Sequence, residues 1–174
     1  MHSSQNATDL APLKSLVSHN ANPAEVCSEL ARLFSVRETE VAMLQVKRSF
    51  LEFVYPPELK TGGSIPLSSS AVAAQTAREK KPEIFNTFTR VKHASIFEVV
   101  KLGEQADLSD QVIQKLMSAP IVADGKSVGV VQISRKGRTP RVAGPDFTPA
   151  DLTTLELCAE ILVNFFAPVP SDRS

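Results

Sequence analysis

The sequence predicts one α+β domain, a sheet built around a tight hairpin with helices at both ends of the chain. Three observations carry this. The chain has 174 residues, 43% of them apolar, which is enough for one sizeable core. Asp124-Gly125 sits between two apolar runs, and Asp-Gly is a preferred pair for a two-residue type I′ hairpin turn. Asn22-Pro23 and Thr148-Pro149 each place a capping side chain before a proline at the first helical position, ahead of an apolar stripe.

In chain order, residues 1–9 are polar and form a disordered tail. Asp9 caps a short helix from Leu10 to about Ser18, with Leu10, Leu13, Leu16 and Val17 on one side. A second helix follows Asn22-Pro23 to about Phe34, with Val26, Leu30, Leu33 and Phe34 as its stripe. Two strands come next, Glu40 to Val46 and Ser49 to Tyr55, joined by a turn at Lys47-Arg48 and ended by Pro56-Pro57. Ile65-Pro66-Leu67 reads as a short extended segment after the Thr61-Gly62-Gly63 turn. Ser68 to Ser70 offer a cap for a helix from Ala71 to Lys80, which Lys81-Pro82 stops. Glu83 to Phe88 is extended, and Thr89 to Leu102 fits no single period and reads as a loop and a short helix.

Gln114 to Ala123 and Lys126 to Arg135 form the hairpin. A two-residue turn with unbroken pairing sets Ile121 opposite Val128, Ala119 opposite Val130 and Met117 opposite Gln132 on an apolar face. The other face pairs Val122 with Ser127, Pro120 with Gly129, Ser118 with Val131 and Leu116 with Ile133. That face lacks side-chain volume at Ser118, Pro120 and Gly129, so it either borders a cavity or lets a neighbouring backbone pack close. Lys136 to Pro145 is a basic loop, and Phe147 onward opens the last helix, with a Thr148/Asp151 capping box. Leu152, Leu155, Ala159, Leu162 and Phe166 repeat along it, with Cys158, Ile161 and Phe165 beside them. One face of this helix covers the sheet; the surplus packs on the first helices or on a second subunit.

Charge and targeting signals narrow the function classes. Lys and Arg total 19, as do Asp and Glu, so neither a wholly basic nucleic-acid surface nor attraction to an anionic membrane is expected. Arg135, Lys136, Arg138 and Arg141 are either a solvated charge run or a site for phosphate or an acidic partner; no interleaved aromatics support nucleic-acid stacking. The N-terminal residues lack the basic and apolar regions of a signal peptide, and no apolar run reaches membrane-spanning length; a cytoplasmic protein is expected. Cys27 and Cys158 occupy apolar helical positions and read as buried free thiols, with a disulfide as the alternative.

The run Ser118-Ala119-Pro120-Ile121-Val122-Ala123-Asp124-Gly125-Lys126, continuing into Val128-Gly129-Val130-Val131-Gln132-Ile133, resembles the two C-terminal strands of the GAF domain. Phe147-Thr148-Pro149-Ala150-Asp151-Leu152 is similar to that family's start of the last helix, and Ile65-Pro66-Leu67, Ala71 to Ala74 and Lys81-Pro82 to its central segment. The resemblance covers roughly residues 23–166 and implies a central antiparallel sheet, with terminal helices on one face and loops and short helices on the other. A single domain over residues 10–168 follows, with a tail at 169–174. The resemblance also implies a sensory module, a small ligand between sheet and loops, and dimerisation through the terminal helices around Leu152, Leu155, Ala159, Leu162 and Phe166.

Three chemistries found in the family find poor support here. Cyclic-nucleotide binders carry Asn-Lys, then Phe, then Asp-Glu; Asn86 is followed by Thr87, and no Asp-Glu follows Phe97 at the right distance. A bilin thioether needs a loop cysteine, and none lies between Cys27 and Cys158. Members that reduce free methionine sulfoxide use several loop cysteines, because a resolving thiol must lie near the attacking one. His93 is either a half-exposed loop histidine or a ligand- or haem-binding one, and no second nitrogen or sulfur ligand stands at metal spacing. Ser68-Ser69-Ser70 lacks a Gly-x-Ser-x-Gly elbow.

No enzyme, metal or cofactor is therefore expected. The candidate ligand pocket lies between the Ser118/Gly129 face and the segment from Phe85 to Val100. Arg90 would pair an anionic ligand group, Phe85 and Phe97 would cover an apolar part, and His93 and Ser95 complete the lining. An interaction or dimerisation module with a filled pocket is the alternative.

Overall fold

The computed structural model describes residues 8–59, 63–88 and 112–166. Most of the 1–9 tail, all of the 169–174 tail and the segment from Thr89 to Leu102 therefore lie outside the described residues. Two short helices open the chain, α1 (Ala11–Ser18) and α2 (Pro23–Phe34). Asp9 accepts a bond from Ala11 N, and Asn22 and Glu25 close a reciprocal capping box at the start of α2. A 3-10 turn at Glu38–Glu40 leads into β1 (Val41–Lys47), β2 (Phe50–Tyr55), a second 3-10 turn at Pro57–Leu59 and β3 (Ser64–Pro66). After these come α3 (Val72–Glu79), β4 (Glu83–Phe85), β5 (Ile113–Ala123) and β6 (Lys126–Lys136). A one-turn helix α4 (Pro140–Ala143), capped by Thr139 within the expected basic loop, precedes α5 (Pro149–Phe166).

The described strands form one six-stranded sheet in the order β3-β2-β1-β6-β5-β4, antiparallel throughout. On one face pack α1, α2 and α5, enclosing Val41 and Met43 of β1, Met117, Ala119 and Ile121 of β5, and Val131 and Ile133 of β6. The opposite face carries Leu44, Leu51, Phe53, Ile65 and Val130 against Ala73, Ala74 and Ala77 of α3. Small alanines let α3 sit close to the sheet. The layers match the expected α+β fold.

The hairpin turn is as its sequence predicts: Asp124 and Gly125 both have positive φ, +53° and +78°, and Ala123 pairs with Lys126. Beyond the turn the expected register is wrong by one residue. Val122 pairs with Ser127, but Ile121 pairs with Gly129, so Val128 is an extra residue, a bulge in β6. Ala119 then faces Val131, and Met117 faces Ile133. The expected apolar face of β6, Val130 and Gln132, thus exchanges sides with Val131 and Ile133. The cause is tertiary. A Cβ on Gly129 would stand 2.7 Å from Leu44 O and 3.3 Å from the Phe166 ring, so β1 and the end of α5 close on this strand where it has no side chain.

At the other end, the α5 capping box forms as expected, with Asp151 N donating to Thr148 Oγ1 and Thr148 N to Asp151 Oδ2. Arg135 donates to Phe34 O and Pro145 O, and its guanidinium lies 4.3 Å from the Phe147 ring centre. Arg135 of the expected solvated charge run is therefore structural, as is Lys136, whose Nζ donates to Thr39 O. Among the described residues no helix is long and apolar enough to cross a membrane. Gly129→Ala, which has no room to relax against a backbone carbonyl, is expected to destabilise the fold by about 1–3 kcal/mol. Urea unfolding of the two proteins would measure it; equal midpoints would show that β1 and α5 can yield.

Candidate functional site

On the sheet face away from α1, α2 and α5 lies a cavity of about 30 Å³. Ala42 of β1, Phe53 of β2, Leu116 of β5, and Gln132 and Ser134 of β6 line it, with Pro56, Leu59 and Ile113 around them. The bulge at Val128 puts Gln132 and Ser134 on this side, each 5% exposed. Strand alternation then keeps Val131 and Ile133 on the helix side.

Polar groups buried here are held in two networks. In the first, Thr76 Oγ1 of α3 lies 2.8 Å from Ser118 Oγ of β5, and Gln132 Nε2 donates to that same Ser118 Oγ at 3.1 Å. All three residues are buried, and the chain of bonds ties helix to sheet across the core. In the second, the buried Glu40 carboxylate accepts from Arg37 N at 2.8 Å, from the Arg37 guanidinium at 2.9 Å and from Lys136 N at 2.7 Å. Ser134 Oγ donates to Glu40 O, and Arg37 donates to Lys136 O. Burial pushes the Glu40 carboxyl up, but the bonds from Arg37 and Lys136 outweigh it and hold the group below the usual carboxylate range.

Comparison with known proteins places this architecture. Residues 24–164 match the family model described as GAF domain. The chain belongs to the GAF domain family. No curated protein sequence matches it. Among solved structures it is similar to the GAF domain of Acinetobacter phosphoenolpyruvate-protein phosphotransferase, with TM-score 0.69 and 13% identity over 96% of this chain and 95% of that one. It is also similar to free methionine-R-sulfoxide reductase from Neisseria meningitidis in complex with its substrate, with TM-score 0.60 and 17% identity over 91% and 86% of the two chains. A third likeness is the GAF domain of a two-component sensor histidine kinase from Bacillus halodurans, with TM-score 0.56 and 18% identity over 92% and 95%. At these identities the likeness is one of fold. Solved structures of this shape thus include a sensor histidine kinase domain and a reductase.

Within this GAF domain three of the sequence-predicted site residues, Phe85, Ser118 and Gly129, are among the described residues. Arg90, His93, Ser95 and Phe97 lie outside the described residues. Phe85, half-buried in β4, stands edge-on to the fully buried Phe88, 6.3 Å between ring centres, in a small cluster with Val72, Ile113 and Leu116. Ser118 is fully buried and bonded on both sides, so it serves the wall behind the cavity. Gly129 does not share its face: the bulge turns it toward Phe166 and the terminal helices. The expected Ser118/Gly129 face is therefore corrected to one of Leu116, Ser118, Val130, Gln132 and Ser134. Sequence reasoning missed Gln132, Ser134 and Glu40. A glutamine and a serine two apart within a β-branched run were the available signal, and the unbroken register assigned them to the wrong sides.

The thiols Cys27 and Cys158 are free and fully buried in the helix-side core. Burial, then Glu38, pushes the Cys27 thiol up; burial, then Glu29, pushes Cys158 up to about 12. Both are protonated at neutral pH, far from the thiolate that attack requires.

The Glu40 network sets a pH dependence. A carboxyl whose folded pKa is depressed adds stability that is present above its unfolded pKa, about 4.3, and lost as pH falls through the lower folded value. Glu40→Gln is expected to lower stability by about 1.5–3 kcal/mol at pH 7. The gap from the parent protein should close as pH falls below about 4. Denaturant unfolding between pH 7 and 2.5 would check it; a gap constant with pH would refute the charge as its source.

Proposed function

We propose that this GAF domain is a non-catalytic sensory module that binds a small molecule at the Gln132/Ser134 cavity. The observation that supports it most is the concentration of buried polar side chains around a cavity on the face that the terminal helices leave open. The fold is compatible with small-molecule binding, since the similar Neisseria meningitidis reductase was solved with its substrate. The two buried, protonated thiols favour a regulatory over a redox role, in a reducing compartment such as the cytoplasm. The ligand would be sensed through β6, whose residues alternate between the cavity and the helix-side core.

The test is a thermal-shift screen of metabolites against the parent protein and Ala42→Leu, which places a larger side chain in the cavity. A hit at a hundred times its dissociation constant is expected to raise Tm by roughly 5–10 °C, and the variant to lose that shift. Hits that stabilise both proteins equally would place binding elsewhere.

A second reading, self-association through α5, has its own observation. Leu155, Ala159 and Leu162 are buried against the chain's own sheet and helices, which favours the outer side of the helix for such an interface. Leu157, 44% exposed, remains on the outer side of the helix, with the partly buried Ile161 and Phe165 packed at the edge of that core. If they make a dimer, Leu157→Glu turns it into monomer in sedimentation equilibrium; a monomeric parent at high concentration removes this reading.

A further inference from the structure

The start of α5 is reached through residues 144–148, which belong to no helix or strand. The described hydrogen bonds to the carbonyls of Gly144, Pro145 and Phe147 all come from side chains of the sheet region. Lys115 Nζ of β5 donates to Gly144 O and pairs with the Asp146 carboxylate at 3.0 Å. Arg135 Nη1 of β6 donates to Pro145 O at 2.8 Å. Asn86, one residue past β4, takes Phe147 from both sides: its Nδ2 donates to Phe147 O at 3.0 Å, and its Oδ1 accepts from Phe147 N at 2.9 Å. Side chains on or beside three neighbouring strands thus grip four consecutive residues.

These grips depend on one another. Lys115 and Arg135 are cross-strand partners, and like charges set opposite each other repel. The link offsets that repulsion by giving both cations carbonyl oxygens, Lys115 a carboxylate and Arg135 the face of the Phe147 ring. Lys115 is buried, so its ammonium needs these partners in place. Lifting the link strips both cations at once, and losing one grip loosens the next residue along. The structure on either side is held differently. β5 and β6 are joined by a backbone ladder along eleven residues of each strand, and Leu155, Cys158, Ala159 and Leu162 of α5 are buried in the helix-side core.

We propose that residues 144–147 act as a latch that releases the start of α5 as one unit, while the β5–β6 hairpin and the buried middle of the helix stay folded. The side-chain grips make the latch cheaper to open than the ladder beside it, and their mutual dependence makes it open all at once. With the latch open, α5 is free to change direction at its first turn. The latch does not require the cavity to bind a ligand.

Backbone amide exchange followed by NMR on the full chain tests this. Phe147 N is bonded to Asn86, and Leu152 N, in the first turn of α5, to Thr148 O. In the parent protein these two amides are expected to show the same protection and the same response to low urea, both below the protection of the hairpin amides. Lys115→Met touches neither amide, yet is expected to speed exchange at both by roughly tenfold and to leave the hairpin amides unchanged. Unequal protection of Phe147 and Leu152 in the parent would overturn the latch, because the link would then fray residue by residue. Exchange of both only together with the hairpin would overturn it as well, since the link would open only when the whole domain does. Unchanged exchange at Phe147 in Lys115→Met would show that the grips act independently, with the same consequence. The parent comparison decides the matter even if the variant does not fold.

Discussion

A single extra residue in β6 governs how the molecule divides its chemistry. Val128 shifts the pairing of the two longest strands by one, and side chains on a strand alternate with a period of two. Everything beyond the shift changes sides. Val131 and Ile133 enter the helix-side core, while Gln132 and Ser134 turn to the cavity. With unbroken pairing the amide of Gln132 would be buried against Met43, Leu155 and Leu162, where the described core has no polar partner for it. Desolvating such a group without a partner costs about 1–3 kcal/mol. The bulge is thus the arrangement that leaves each face chemically consistent.

The two polar networks hold opposite ends of that second face. The Thr76–Ser118–Gln132 chain pins α3 to the middle of the sheet. Glu40 pins the turn before β1 to the end of β6 through Arg37 and Lys136. Arg135, beside Lys136 in sequence, points the other way, to Phe34 O, Pro145 O and the Phe147 ring. Asn86 fixes Phe147 from its own side, donating to Phe147 O and accepting from Phe147 N. The last residues of β6 therefore join the cavity wall, the end of α2 and the start of α5.

Local signals explain which parts were legible in the sequence. Asn22-Pro23, Thr148-Pro149 and Asp124-Gly125 act through neighbours within four residues, and each folds as its sequence predicts. The bulge was not legible because its cause is distant: Leu44 O and Phe166 close on Gly129 from elements far along the chain. The site went astray for the same reason. Ser118 was placed at its edge from its small size alone, whereas its hydroxyl is engaged by Thr76, 42 residues away. Glu40 reads in the sequence as one more surface acid at a strand start; only the approach of Lys136 N, 96 residues on, makes it a buried anchor.

The same geometry bears on how a module of this kind can report occupancy. Gln132 and Ser134 share a backbone with Val131 and Ile133, so the cavity and the helix-side core are separated by one strand and not by a domain boundary. If the cavity binds a ligand as proposed, that ligand would press on a strand whose other face is packed against α5, in a densely packed interior. The exposed Leu157 side of α5 lies beyond that packing. Binding on one face and helix association on the other are therefore not rival readings of this fold. They are the two sides of a sheet whose central strand touches both, and any coupling proposed between them would run through β6 and α5.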